Sequence, residues 1–259
     1  MADNQVDYGK ISRVYDVSRA ANAETASKLI TLLGVNRHSV IIELGCGTGN
    51  YTFAMQRRAR LVAGIDISPA MIQKARGKFP GLQFVIGDVT SLPFRADSFD
   101  GAIAIQVLHH VKDRSQFLRE TCRVLRKGAS VAIHSCSHRQ MHAFWFYHYF
   151  PKGLDIDLAR IPDSTDIASL LTNAGFTKAG IEVCFTDAVV KNETPENYLD
   201  RAYRNGVSTF ALLSESDIEK GCRMILDEIH SGEANSLVRR SEEEVSKHVG
   251  GSCIVYGRK

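Results

Sequence analysis

The feature that most constrains the fold is a glycine-rich run that follows a short apolar segment. The run reads Glu43-Leu44-Gly45-Cys46-Gly47-Thr48-Gly49, directly after Val40-Ile41-Ile42. A short apolar segment that ends in glycines is typical of a buried strand. A glycine loop between a strand and a helix lets the backbone approach a ligand where a Cβ atom would clash, and it aims helix N–H groups at that ligand. The run therefore predicts a ligand-binding turn at the carboxyl end of a first strand.

Four more apolar segments follow and alternate with stretches of helical character. They are residues 61–66, 82–88, 99–107 and 130–134. The clearest helix signal lies between the last two apolar segments, where Asp113 is expected to cap a helix and Gly128 to end it. Continuous apolar strands that alternate with helices indicate a parallel sheet covered on both faces. The chain is therefore predicted to be an α/β protein with a doubly wound sheet.

The regular alternation stops after the fifth segment. We expect an aromatic insertion at about residues 138–162, a helical insertion at about 191–249, and further strands at 181–190 and 252–256. Helix start signals lie at Thr194-Pro195, at 214–217 and at 241–244. No internal repeat or linker divides the chain. We therefore predict one domain over residues 1–259, in which the two insertions form a cap over a substrate.

Acidic residues stand at the ends of three successive strands. They are Glu43, Asp66 and Asp88. A carboxylate at Asp66 can bind both hydroxyls of an adenosine ribose, and Asp88 can accept from an adenine amino group while the Val89 N–H meets a ring nitrogen. The glycines are spaced G-x-G-x-G, whereas a dinucleotide fingerprint is G-x-G-x-x-G. An acidic rim suits a cofactor with a sulfonium and an ammonium better than one with a pyrophosphate, so S-adenosylmethionine is favoured over NAD.

These motifs together resemble those of class I S-adenosylmethionine-dependent methyltransferases. The resemblance is carried by the 43–49 run, Gly64-Ile65-Asp66-Ile67-Ser68, Gly87-Asp88, Ser98-Phe99-Asp100, Leu108-His109-His110 and Arg123-Val124-Leu125-Arg126-Lys127-Gly128. It covers residues 8 to 137 well and the remainder in outline, and it is closest to small-molecule enzymes similar to those of quinone biosynthesis. It implies a seven-stranded, mostly parallel, Rossmann-like sheet whose last strand is antiparallel. It also implies methyl transfer from S-adenosylmethionine to a small-molecule acceptor.

The resemblance further implies which residues touch the cofactor. The methionine portion would meet Glu43, Gly45, Cys46, Gly47 and Gln106, the ribose Asp66 and Ile67, and the adenine Asp88 and Val89. Tyr15 and Arg19, in an N-terminal helix, would face the carboxylate end of the cofactor. Plainer interpretations are helix caps for Asp66 and Asp88, a small filler for Cys46, and a surface pair for Tyr15 and Arg19.

Methyl transfer from a sulfonium is a direct displacement, for which the protein supplies alignment and desolvation. A base is needed only if the acceptor must lose a proton early, and histidine is the natural candidate. We select His110, after the fourth strand, and His138, after the fifth; the alternative is a packed ring bonded to backbone. His138 and His142 have the i, i+4 spacing of a metal pair, but the H-E-x-x-H glutamate is missing, so no metal is predicted.

Residues 144–150 form the most distinctive segment, Phe-Trp-Phe-Tyr-His-Tyr-Phe. Because the segment follows the fifth strand, we expect it to form the wall of an apolar acceptor pocket. The acceptor-binding residues selected are Trp145, Tyr147, His148 and Tyr149. The alternatives are plain core, or an interface with a membrane surface or with another subunit, the last of which would give a homodimer.

The net charge, the hydropathy and the cysteine spacing limit the partners and the alternative functions that we expect. The net charge of +3 is small and scattered, which argues against nucleic acid, and no apolar run is long enough for stable membrane insertion. The six cysteines form no C-x-x-C pair and no secretory signal opens the chain, so a cytoplasmic protein with free thiols is expected. Arsenite methylation would need converging cysteines, such as Cys46, Cys136 and Cys184. A non-catalytic S-adenosylmethionine-binding protein and a nicotinamide dehydrogenase are the other rivals.

Overall fold

The computed structural model describes residues 21–185 and 193–259, and within these ranges seven strands form one sheet. They are β1 (Val40–Leu44), β2 (Leu61–Asp66), β3 (Gln83–Ile86), β4 (Phe99–Ile105), β5 (Leu125–Ser135), β6 (Thr177–Cys184) and β7 (Ser252–Arg258). The strand order is β3-β2-β1-β4-β5-β7-β6. Neighbouring strands are parallel except for β7, which runs antiparallel to both β5 and β6. The predicted doubly wound sheet with an antiparallel last strand is confirmed.

Helices fill the connections of this sheet. They are α1 (Ala23–Leu33), α2 (Asn50–Gln56), α3 (Pro69–Lys78), α4 (Arg114–Val124), α5 (His138–Ala143), α6 (Phe146–Tyr149), α7 (Pro151–Arg160), α8 (Ser164–Asn173), α9 (Arg201–Arg204), α10 (Glu215–Ser231) and α11 (Glu233–Glu244). Short 3-10 turns cover Leu108–His110, Pro195–Leu199 and Ser208–Ala211, and a π turn covers Val245–Val249. Local sequence sets several of the starts, because Asp113 caps α4 and Ser214 caps α10 through side-chain oxygens.

Several predicted boundaries are wrong. Helix α4 ends at Val124 rather than at Gly128, because Leu125 already pairs with Phe99 in the sheet. Strand β6 covers Thr177–Cys184 instead of 181–190, and residues 186–192 lie outside the described residues. Residues 241–244 do not start a helix, because they lie at the end of α11, which begins after the left-handed Gly232.

The described residues form two large apolar clusters with different origins. One packs the sheet against α4 and α8 and includes Ile42, Val131 and Phe117. The other is rich in aromatic side chains and is built from residues 136–161 and 198–249. The two insertions therefore form one unit with an apolar core of its own, and we call this unit the cap. Within residues 21–185 and 193–259, no helix has the length and apolarity needed to cross a bilayer.

Candidate active site

A cavity of about 820 Å³ lies over the carboxyl ends of β1, β2 and β4. Its volume falls in the upper part of the roughly 300–1,000 Å³ range of small-molecule sites. The strand side contributes Glu43, Gly45, Cys46, Gly47, Asp66, Ile67, Asp88, Val89 and Gln106. The cap side contributes Phe144, Phe146, Tyr147, Asp157, Arg160, Tyr198, Ser208 and Thr209. One continuous space thus joins the predicted cofactor residues to the cap.

The glycine loop has a backbone that only glycine adopts easily. Gly45 and Gly47 have φ values of 72° and 52°, in the left-handed region. A Cβ atom added to Gly45 would lie 2.2 Å from Cγ2 of Val107, so a side chain there would collide with the segment that follows β4. The N–H of Gly47 donates to Oδ2 of Asp66 at 2.8 Å. The loop is therefore held against β2, with its backbone lining the cavity.

Two carboxyl groups at the loop are buried. Oδ1 of Asp66 accepts from the N–H of Ser68 at 2.9 Å, while burial raises the pKa of Asp66. Glu43 is only 2% exposed and accepts a hydrogen bond from the Thr52 hydroxyl. Burial, with a smaller contribution from the nearby Asp66, raises the pKa of Glu43 to about 8. Buried carboxyls of this kind are stabilised by a cationic ligand, so they fit the sulfonium and ammonium groups of S-adenosylmethionine.

The predicted adenine and ribose contacts line the same cavity. Oδ1 of Asp88 accepts from the Thr90 N–H at 2.8 Å and from the Thr90 hydroxyl at 2.7 Å, which fixes the carboxylate at the end of β3. Val89 and Ile67 also line the cavity, and Ile67 is 66% exposed. The structure thus gathers these residues, as the sequence predicts, and Ser68 rather than Asp66 caps α3.

Gln106 is held in a strained conformation just after β4. Its φ is 52°, unusual for a residue with a side chain, and its N–H donates to the His134 carbonyl at 3.0 Å. Its Nε2 lies 3.5 Å from Nδ1 of His134 and 3.8 Å from Sγ of Cys136. The His134 ring is buried and its Nε2 lies 2.9 Å from the Ser252 hydroxyl. His134 and Cys136 are cavity residues that the sequence prediction missed; their position at and just after the end of β5 was the available signal.

The two histidines selected as bases have different positions. His110 lines the cavity, with the ring of His109 3.9 Å away. His138 lies outside that lining, and its Nε2–H donates to the Ile161 carbonyl at 2.9 Å. It borders a separate surface pocket of about 400 Å³. The backbone-bonded alternative therefore describes His138, and we do not retain it as a catalytic candidate.

Only one of the four selected acceptor-binding residues lines the cavity, namely Tyr147. Trp145 is buried behind Tyr198, with ring centroids 5.6 Å apart. His148 and Tyr149 instead bond the Glu228 carboxylate of α10, at 2.8 and 2.9 Å. Phe144 and Phe146 line the cavity and were missed. Phe144 lies between α5 and α6, and its ring stacks on that of Tyr147 with the centroids 6.4 Å apart.

The remaining site predictions concern cysteines, metals and the N-terminus. Cys46 and Cys136 line the cavity but Cys184 does not, and burial raises the pKa of the Cys46 thiol. No three thiols of the kind that arsenite methylation would need therefore meet among the described lining residues. Residues 21–185 and 193–259 contain no cluster of histidine, cysteine and acidic side chains suited to a metal ion. Tyr15 and Arg19 lie outside the described residues.

The sheet order and the carboxyl-edge cavity define a Rossmann-like methyltransferase fold, and comparisons with known proteins agree. Residues 42–133 match the family model described as a methyltransferase domain. The chain is 31% identical over 216 residues to ajmaline N-methyltransferase from Rauvolfia serpentina, covering 67% of this chain and 74% of that protein. It is 29% identical over 168 residues to demethylmenaquinone methyltransferase from Tropheryma whipplei strain Twist, covering 62% and 70%.

The solved structures agree with the sequence relatives. A candidate methyltransferase from an antibiotic biosynthesis pathway of Anabaena variabilis superposes with a TM-score of 0.77 at 25% identity. The match covers 93% of this chain and 98% of that one. The chain therefore belongs to the class I S-adenosylmethionine-dependent methyltransferases, in the small-molecule branch that resembles the enzymes of quinone biosynthesis. It is a methyltransferase that uses S-adenosylmethionine as its methyl donor.

Proposed function

We propose that this enzyme methylates a small, mostly apolar acceptor that is enclosed between the sheet edge and the cap. The observation that carries the proposal is the single cavity, which joins the carboxyl-lined glycine loop to aromatic side chains of the cap. The residues that form the cap, about 138–162 and 193–249, supply the acceptor side. The relatives named for demethylmenaquinone and for ajmaline support a small-molecule acceptor.

Bound S-adenosylmethionine supplies a methyl group on a sulfonium, ready for direct displacement. Asp66, and Glu43 once it has lost its proton, would balance the positive charges of this cofactor, while the backbone of Gly45 and Gly47 would shape its pocket. Asp66 also accepts from the ribose hydroxyls, since each carboxylate oxygen retains a lone pair beyond its single backbone bond. Gln106 faces the methionine portion, where its strained backbone fixes the amide.

The cap aligns the acceptor and excludes water, the two contributions that displacement needs from the protein. Phe144, Phe146 and Tyr198 provide the apolar surface. His110 is the group positioned to take a proton from an oxygen or nitrogen acceptor. An acceptor that carries no such proton needs no base.

The cellular location, the partners and the oligomeric state of the enzyme also stay predictions. We infer a cytoplasmic enzyme that does not act on nucleic acid, and a homodimer is compatible with this inference. The unpaired state of the six cysteines supports a reducing compartment.

Calorimetry tests the cofactor part of the proposal directly. We expect the chain to bind S-adenosylmethionine and S-adenosylhomocysteine, and to give no heat with NAD. A panel of apolar metabolites, incubated with S-adenosylmethionine and analysed for a mass gain of one methylene, then tests the acceptor part. No binding of either S-adenosyl compound would refute the cofactor assignment, and transfer only to anionic or strongly polar acceptors would refute the apolar one.

A further inference from the structure

The cap wall of the cavity contains a polar cluster amid aromatic side chains, in which Arg160 and Ser208 are half-buried and the other members are buried. Asp157 on α7 is 3% exposed, and its Oδ2 accepts from the Tyr147 hydroxyl and from the Thr209 hydroxyl, both at 2.8 Å. Its Oδ1 accepts from Nε of Arg160 at 2.6 Å. Nη2 of Arg160 donates to the Ser208 hydroxyl at 2.8 Å. We call these five residues the polar cluster; all of them line the cavity.

An ion pair such as Asp157–Arg160 costs desolvation free energy when it leaves water, and the attraction between the two charges often only balances this cost. Apolar residues of similar volume would therefore stabilise the cap core equally well. The cluster lines the same cavity as Cys136 and Gln106. The Cys136 Sγ lies 3.8 Å from Nε2 of Gln106, the residue that the proposed function places near the methionine portion of the cofactor. The charged pair therefore lines the cavity that holds both substrates in the proposed function.

The hydrogen bonds within the polar cluster leave some of its donor groups available to a ligand. Asp157 accepts three hydrogen bonds, so its charge is largely compensated. The bonds of Arg160 leave its Nη1 group without a partner among the described residues, and Ser208 accepts a bond but donates none there. The cluster therefore presents spare N–H and O–H donors. Burial and Asp157 together raise the pKa of Tyr147, so its phenol stays a neutral donor to Asp157.

The charges of the residues that line the cavity favour a neutral ligand over an anionic one. Arg160 is already paired with Asp157. Among the described lining residues, Lys112 and Arg160 are the only lysine or arginine side chains, against six carboxyl side chains. A carboxylate ligand would add a further negative charge to this acidic space, whereas a neutral carbonyl oxygen would only accept the spare hydrogen bonds.

We propose that the polar cluster is the specificity subsite of the acceptor, and that it binds a neutral carbonyl-type oxygen carried by an apolar ring system. The Arg160 Nη1 and the Ser208 hydroxyl donate to this oxygen, while Phe144, Phe146 and Tyr198 contact the rings. The inference rests on the proposed function and names the class of acceptor. An acceptor that lacks the oxygen would cover these two donors without giving them a partner, which penalises its binding.

The test uses three probes with one bicyclic body. They are 2-acetylnaphthalene, its isostere 2-isopropenylnaphthalene, which has CH2 in place of the oxygen, and 2-naphthoate. Binding to the full chain saturated with S-adenosylhomocysteine is measured by calorimetry. We expect the ketone to bind about three- to tenfold more tightly than either other probe, the effect of one or two buried hydrogen bonds.

Variants assign the preference to the cluster. Arg160→Lys keeps the charge but loses the planar fork, and Ser208→Ala removes one donor without disturbing the ion pair. Each should reduce the preference for the ketone to about half of its wild-type value or less, and Ser208→Ala should not weaken isopropenyl binding, because it removes a donor that this probe leaves unsatisfied. Tyr149→Phe is the matched control, because its hydroxyl bonds Glu228 and lies outside the cavity lining. It should retain the wild-type preference.

The outcomes distinguish a failure of the proposed subsite from a failure of the proposed function. Equal binding of the ketone and the isopropenyl probe, no binding of the ketone, or a preference that survives both variants would overturn the subsite. Tightest binding of 2-naphthoate would show an anion site instead and would also overturn it. S-adenosylhomocysteine binding is measured first on the same samples; if it fails, the proposed function fails, whereas normal cofactor binding confines the failure to the subsite.

Discussion

Replacing Gly45 with alanine tests whether the glycine loop is fixed by close packing as well as by its backbone conformation. The added Cβ would lie 2.2 Å from Cγ2 and 2.9 Å from Cβ of Val107, at a φ of 72°. The left-handed conformation costs a residue with a side chain about 1–2 kcal/mol. Extra atoms in a packed position cost about 1–3 kcal/mol. We therefore expect Gly45→Ala to lower the free energy of unfolding by about 2–5 kcal/mol.

Gly34→Ala separates these two contributions. Gly34 caps the end of α1 with a φ of 65°, yet nothing lies within 4 Å of its added Cβ. This control should cost only the backbone contribution of about 1–2 kcal/mol. Urea unfolding followed by circular dichroism measures both variants. Because Val107 lines the cavity, Gly45→Ala should also weaken S-adenosylhomocysteine binding in calorimetry, whereas Gly34→Ala should not.

A double-mutant cycle with Val107→Ala identifies the colliding partner. Removing the Val107 methyl groups makes room for the new Cβ, so the double variant should be less destabilised than the sum of the two single variants by about 1–3 kcal/mol. If Gly45→Ala costs no more than Gly34→Ala and the cycle is additive, the close approach of Val107 to the loop is wrong, and with it our account of why this position is glycine.

Three further substitutions test the titration of Glu43, the role of Asp66 and the buried ion pair of the cap. Burial raises the pKa of Glu43 to about 8 from its ordinary 4.5, so the folded chain keeps a proton that the unfolded chain releases. The stability gained by Glu43→Gln over the wild type should therefore grow by about 1.4 kcal/mol per pH unit between about pH 5 and pH 8 in urea unfolding, and a constant difference would contradict the buried neutral carboxyl. Asp66→Ala removes charge-assisted hydrogen bonds to the ribose and the brace on Gly47, so calorimetry should show at least about a tenfold loss of S-adenosylhomocysteine affinity; an unchanged affinity would show that the ribose lies elsewhere. Asp157→Ala leaves the half-buried Arg160 without its partner and the Tyr147 and Thr209 hydroxyls without their acceptor, and it should cost about 3–5 kcal/mol of unfolding free energy. The control Asp155→Ala, at an exposed position on the same helix, should cost less than about 0.5 kcal/mol, and equal costs would refute the buried pair.

The strand side of the cavity could be predicted from the sequence because its residues follow strand ends. The carboxyl ends of parallel strands meet at one edge of a sheet, so finding the strands was enough to bring Glu43, Asp66 and Asp88 together. Errors of two or three residues in strand length left these positions unaffected. The G-x-G-x-G spacing then distinguished the ligand, since it is a local property of seven consecutive residues.

The acceptor side could not be predicted in the same way. Seven consecutive aromatic residues have no periodicity, so the pattern did not show that Tyr147 faces the cavity while Trp145 faces away from it. The polar cluster joins α6, α7 and a 3-10 turn, and its Thr209–Asp157 bond links residues 52 apart in the chain. No local sequence signal distinguishes Asp157 from an acidic residue on a solvated helix face. Only its three partners distinguish it, and two of them are fixed by tertiary packing.

The family model covers the strand side of the site and not the cap. The family model matches residues 42–133, which end within β5, and the cap begins only after that strand. Since the cap has an apolar core separate from the main core of the sheet, its residues can change without disturbing the packing of the glycine loop. The two sides still meet at Arg114, whose guanidinium donates to the carbonyls of Leu108 and Arg160. This side chain ties the turn that carries His110 to the helix that carries the polar cluster, so the proposed acceptor subsite keeps a fixed position relative to that turn.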